Sequence, residues 1–145
     1  FLNSVHKDLK KQMLAASLQL LLPGMPMIYY GDEVGLEGGP DPDCRRGMLW
    51  EETRQNQSLL QYYQTLLRIR HGYPALTEGT VLEQYTDDDK GIFYCKRRLK
   101  DQQITVIFHT KTGEQTLPGL EGRQNLVDGQ PFRGILGDYE TIVLV

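Results

Sequence analysis

The chain has 145 residues, 24% of them charged, and a net charge of -3 at pH 7. That length holds one ordinary domain, or a small module joined to part of another. The acidic balance, with no basic face interleaved with aromatics, excludes a nucleic-acid footprint, and no run of about 18 apolar residues offers a bilayer span.

Residues 8–22 set Leu9, Met13, Leu14, Leu18, Leu21 and Leu22 at helical spacing with one broad apolar face. Pro23-Gly24 stops that helix. Residues 25–30 form a short apolar run without polar alternation, which predicts a parallel strand covered on both faces, with Pro26 near its start where a missing N–H costs least. Residues 31–53 are rich in Gly, Asp and Pro and too long to be a mere connector. A second helix opens on an Asn56 cap, carries Leu59, Tyr63, Leu66 and Leu67 on one face, and ends at Gly72 and Pro74. Helix, strand, long loop, helix is the repeat of a (β/α)8 barrel.

Past Pro74 the pattern shortens to strands over 80–85, 91–99, 103–109 and 139–145, with weaker ones over 114–117 and 124–127. Turn signals at Asp87-Asp88-Asp89-Lys90-Gly91, Lys111-Thr112-Gly113 and Asp128-Gly129 separate them. The expected fold is therefore an α+β fragment: the last helix-strand-helix of a (β/α)8 TIM barrel over residues 1–75, then an antiparallel all-β C-terminal domain, a β-sandwich, over 76–145.

The chemistry is concentrated in the loop after the predicted strand, the end at which barrel enzymes build their sites. Asp41 and Arg45 stand four residues apart, and a carboxylate with a guanidinium can make paired, charge-assisted bonds to adjacent sugar hydroxyls. Spacing alone favours local Asp41–Arg45 or Asp43–Arg46 surface ion pairs, worth about 0–1 kcal/mol. Asp32 and Glu33 are neighbours on an extended chain and so point to opposite faces, poorly placed to share one reacting centre. Tyr29, Tyr30 and Trp50 could stack on sugar rings, although aromatics beside a buried strand more often fill a core.

Asp41-Pro42-Asp43 with Asp32 lacks the ligand alternation and terminal Glu of a calcium loop. His6, His71 and His109 show no ligand spacing. Two cysteines, Cys44 and Cys95, are too few for a disulfide scaffold or a four-ligand zinc site, and the sequence places no base beside either; reduced thiols are the simpler reading. No metal or cofactor is expected.

The run from Gly24 to Trp50, with its Tyr29-Tyr30-Gly31-Asp32-Glu33 and Asp41-Pro42-Asp43-Cys44-Arg45 elements, resembles the eighth strand and following loop of an α-amylase-family barrel (glycoside hydrolase family 13). It is most similar to the cyclomaltodextrinase, neopullulanase and maltogenic amylase branch. The likeness is strong over residues 9–50, moderate to 74 and architectural beyond, and it departs from the branch at Gly47, where a proline or another side chain is common.

The resemblance implies a glycosidase of maltooligosaccharides, cyclodextrins or related α-glucans, cytoplasmic, in which Asp41 and Arg45 bind substrate and the Gly31-Asp32-Glu33 run is structural. It also reverses the spacing-based preference for a bare ion pair. Retaining hydrolysis needs two carboxylates roughly 5 Å apart, and the resemblance puts the catalytic carboxylates before residue 1. The chain, which starts at Phe1 without Met, is thus expected to be the C-terminal part of a longer enzyme and inert alone. The other reading is a noncatalytic carbohydrate-binding or scaffold module of amylase-like fold.

One strand and two helices cannot close a barrel. Met25, Met27 and Ile28 would each forfeit roughly 1.5–3 kcal/mol in water, against the roughly 5–15 kcal/mol stability of a domain. Self-association through the barrel-facing surface is expected, unless both helices lie down on the β-domain.

Overall fold

The structure, a computed structural model, describes residues 2–145, and their side chains from Asn3 onward. Helix α1 (Leu9–Leu21) begins where the Asp8 carboxylate accepts the backbone N–H groups of Lys10 and Lys11 at 3.0 and 3.2 Å. Helix α2 (Gln57–Gly72) begins on Asn56, whose side chain accepts Leu59 N–H at 3.0 Å. Both caps satisfy donors that a helix N-terminus otherwise leaves to water.

Six strands follow: β1 (Thr80–Asp87), β2 (Ile92–Leu99), β3 (Gln102–His109), β4 (Gln115–Thr116), β5 (Ile135–Leu136) and β6 (Thr141–Leu144). The main sheet is antiparallel in the order β1-β2-β3-β6, and β4 pairs with β5 in a separate two-stranded ladder. In the β1–β2 hairpin the Asp87 carboxylate accepts Lys90 N–H at 3.0 Å, so the acidic run is a self-closed turn.

Both faces of the sheet are covered. Along β3 successive side chains alternate faces: Ile104, Val106 and Phe108 turn toward the helices and join Leu14, Leu20, Leu21, Leu59 and Leu66. Ile107 turns the other way, to Phe132, Leu136 and Ile142 under the β4–β5 ladder. Both helices do lie on the β-domain, and one core crosses the boundary expected at residues 75 and 76.

Two buried arginines tie this seam. Arg70 occupies a core position of α2, on the face of Leu59, Tyr63 and Leu66, yet its guanidinium ends among backbone oxygens: Nη1 donates to Leu20 O at 2.6 Å and to Leu22 O at 3.3 Å, and Nη2 to Gly24 O at 2.6 Å. Leu20 O and Leu22 O are carbonyls that the end of α1 leaves unpaired and Gly24 O belongs to the turn that follows; a cation there also complements the helix dipole. Arg97 of β2 repeats the device, donating to Leu76 O and, at 2.6 Å, to Gly79 O. A Cβ on Gly79 would fall 2.4 Å from Ala75 O, so only glycine brings the connector this close to the sheet.

Three expectations are corrected. Residues 25–29 carry no regular secondary structure and belong to no ladder among the described residues, because a central parallel strand is held by a strand on each side and no described strand lies beside this segment. Residues 124–127 make only isolated bridges, Gln124 with Pro131 and Asn125 with Leu144, since the Asn125 side chain takes over a ladder position by accepting Val143 N–H at 3.0 Å. The second layer of the sandwich is two short strands, one of which, β5, the sequence pattern did not predict.

Arg70→Met is expected to lower the unfolding free energy in urea by ~3 kcal/mol, since charge-assisted bonds are lost and the α1 carbonyls stay buried. Arg70→Lys should recover less than half of that loss, because an ammonium cannot span three carbonyls as the planar fork does. A loss under about 0.5 kcal/mol for Arg70→Met, the ordinary range for a surface change, would contradict this role.

Candidate functional site: the loop between the two helices

From Gly24 the chain runs outward. Gln19 donates to Met27 O, and Met25 and Met27 are 96% and 68% exposed. The rings of Tyr29 and Tyr30 lie 4.8 Å apart, and both are partly open to solvent. The chain then reverses at Gly31, where φ is +87° and a Cβ would lie 2.5 Å from the Leu36 side chain; glycine is required on both counts. Asp32 and Glu33 sit inside this tight turn (Asp32–Val34) rather than on an extended strand, and Val34 buries itself beneath it.

The turn is anchored to both helices. Gln12, fully buried in α1, donates to Asp32 O at 2.8 Å, and Asn56 N–H, at the start of α2, donates to Val34 O at 3.0 Å. Tyr63 of α2 is pushed up to about 12, by burial first and then by the Asp32 and Glu33 charges, so its phenol stays neutral there. One Glu33 oxygen is buried with no hydrogen-bond partner among the described residues.

Beyond the anchor, residues 38–46 fold on their own charges. Asp43 Oδ2 accepts Gly39 N–H at 2.7 Å, and Arg46 grips the same carboxylate through Nε at 2.8 Å and Nη2 at 2.6 Å. This fork-on-fork pair closes the loop. The Arg46 guanidinium, with Gly39 N–H second, holds the Asp43 carboxyl below the usual carboxylate range. Tyr30 secures the same point from the other side, its hydroxyl donating to Arg46 O at 2.8 Å. A Cβ on Gly38 would lie 2.8 Å from Cys44 Cα, so the two arms of the loop are in contact.

Asp41 and Arg45 are brought together as the spacing predicts, Arg45 Nε lying 2.9 Å from Asp41 Oδ1. Their side chains are 63% and 72% exposed, so they present a carboxylate and a guanidinium side by side at the rim. Trp50, 82% exposed, is not core. An open cleft of about 450 Å3 flanks the loop, lined by Leu36, Glu37, Arg46, Gly47, Leu49 and Arg54; neither Asp41 nor Arg45 lines it. Sequence reasoning weighed Arg46 only as a surface partner of Asp43 and missed the anchoring roles of Gln12 and the Tyr30 hydroxyl. A polar Gln12 amid the apolar spacing of α1 was the available signal.

No group of three or more His, Cys, Asp and Glu residues is placed to hold a metal ion among the described residues. No described helix is long and apolar enough to cross a membrane.

No family model matches the chain. Neopullulanase 2 of Thermoactinomyces vulgaris is 39% identical over 117 residues, covering 81% of this chain and 20% of that protein. A cyclomaltodextrinase of a Bacillus species is 38% identical over 122 residues, 83% of this chain and 22% of that protein. The crystal structure of the maltogenic amylase from S. marinus superposes with a TM-score of 0.86 at 27% identity, over 97% of this chain and 20% of that one. The chain belongs to the α-amylase family, glycoside hydrolase family 13. Within the family it is similar to the C-terminal portion of cyclomaltodextrinase, neopullulanase and maltogenic amylase, and it spans about one fifth of the length of these relatives.

Because the folded pKa of Asp43 is depressed, its pairing contributes order above the ordinary carboxylate pKa and loses it as pH falls through the lower, folded value. An NMR titration should show Asp43 protonating below the ordinary carboxylate range, with the Gly39 amide resonance moving at the same midpoint. A Gly39 amide indifferent to that titration would contradict the clamp.

Proposed function

We propose that the chain is the part of an α-glucan glycosidase that supplies the last barrel segment, a substrate-contacting loop and the β-domain, with residues 1–75 and 76–145 as the two parts. Maltooligosaccharides, cyclodextrins and related glucans are the substrate class. The observation that carries this reading is the Asp41–Arg45 pair, exposed at the rim of a loop fixed by independent contacts. A sugar with adjacent hydroxyls can replace each partner of such a pair with a charge-assisted bond, and little is lost, since an exposed pair is worth only ~0–1 kcal/mol.

The same geometry supports an inert chain. Retaining hydrolysis needs a nucleophile and an acid on either side of the anomeric carbon. Asp43 is engaged by Arg46 and Gly39, and Asp32 and Glu33 are adjacent in a turn packed on Gln12 and Tyr63. A loop that binds substrate without a reacting group beside the anomeric carbon lowers no barrier.

Titrating maltotriose into the isotopically labelled chain should give saturable shifts at the amides of residues 38–47, and Arg45→Gln should weaken that binding about tenfold. Unchanged affinity in Arg45→Gln would remove Arg45 from substrate contact.

Self-association belongs to the same proposal. Met25, Met27 and Trp50 stay in water although α1 and α2 have found the sheet, and residues 25–29 join no ladder among the described residues, which leaves this apolar segment open to a second chain. Sedimentation at micromolar concentration should show dimers or larger species, and Met25→Lys with Met27→Lys should shift them toward monomer. A monomer that is unaffected by these changes would contradict it.

A further inference from the structure

On the sheet face turned away from the helices, a second cleft of about 250 Å3 opens between the strands and the turn after β4. Its lining includes Glu83, Tyr94, Lys96, Thr105, Leu120 and Arg123. The register explains the grouping: Tyr85 of β1 is opposite Tyr94 of β2, Glu83 is opposite Lys96, and Lys96 is opposite Thr105 of β3. Side chains directly opposite on antiparallel strands share a face.

This cleft pairs an aromatic surface with unsatisfied polar groups. The Tyr85 and Tyr94 rings lie 5.7 Å apart, tilted by 33°, and Tyr85 is 50% exposed at the edge of the sheet. Glu83 accepts the Tyr94 hydroxyl and pushes its pKa up to about 12, so the phenol is fixed as a donor. Thr105 is 6% exposed, and its hydroxyl oxygen is buried with no partner among the described residues. The Lys96 ammonium and the Arg123 guanidinium make no hydrogen bond or ion pair among the described residues.

The ligand chemistry follows by elimination. A purely apolar guest would strip water from Lys96 and Arg123 and replace none of it, and a phosphate would meet the Glu83 carboxylate. A neutral polyhydroxyl ring offers a C–H face to Tyr94 and hydroxyls that donate to Glu83 and accept from the two cations. The volume of about 250 Å3 lies just below the roughly 300–1,000 Å3 usual for small-molecule sites, which suits a chain end better than a chain interior.

We propose that this cleft is a second saccharide site, distinct from the loop at Asp41 and Arg45, that holds one end of an α-glucan chain. The choice of α-glucan rests on the function proposed above.

The maltotriose titration of the labelled chain tests it. Saturable shifts are expected at the amides of residues 94, 96, 105 and 120–123, weakened about tenfold by Tyr94→Ala and again by Lys96→Gln. Lys96 is only partly buried and makes no ion pair among the described residues, so the loss in Lys96→Gln is read without a change of core packing. Shifts at residues 38–47 with none at the cleft overturn this site and leave the proposed function standing. Shifts at the cleft alone support it and count against the loop. No shift anywhere up to about 10 mM overturns both. Inorganic phosphate moving the cleft resonances where maltotriose does not also overturns the saccharide assignment.

Discussion

The arrangement of the whole molecule depends on one guanidinium. Arg70 rises from the apolar face of α2 and bonds to the oxygens of Leu20, Leu22 and Gly24, where α1 ends. Burying a charge without a counter-charge is costly, and what offsets it is a cluster of carbonyls at the negative end of a helix. The bond set fixes the relative position of the two helices and, with it, the direction in which the chain leaves α1.

That direction decides where the loop begins. Residues 25–29 leave the helix pair with no strand beside them, and the loop regains support at the Asp32–Val34 turn, held by Gln12 from one helix and by Asn56 from the start of the other. The Asp43–Arg46 fork and the Tyr30 hydroxyl then stiffen the outer part. Asp41 and Arg45 are left as the exposed pair on a braced rim. Preorganisation of this kind lowers the entropic cost of binding a flexible sugar.

Much of this was legible in the residues. Asp8 and Asn56 announced both helices because capping is a local matter, and the β1, β2, β3 and β6 regions followed from alternation and turn chemistry. The run at 25–30 joins no ladder among the described residues for a physical reason: an apolar run specifies that a segment is to be covered, whereas a ladder also needs neighbours, which a one-chain pattern does not reveal. The β4–β5 ladder escaped notice because two-residue strands carry no period. Arg70 and Arg97 escaped because a lone arginine on an apolar face has no signature of its own when its partners are carbonyls 50 or 21 residues away. In the loop, the pairings of Asp41 with Arg45 and Asp43 with Arg46 were visible as spacing; that the second pair is the clamp and the first the exposed face emerged only from the geometry.

The proposed function joins a stable seam to a braced loop, in a chain proposed to hold a glucan without cleaving it. The most direct measurement is the release of reducing sugar from β-cyclodextrin by purified protein whose intact mass matches the 145 residues. No release above the uncatalysed background is the predicted result. Turnover that follows the chain through purification would contradict it and would put Asp32, Glu33 and Asp43 back at the centre of the chemistry.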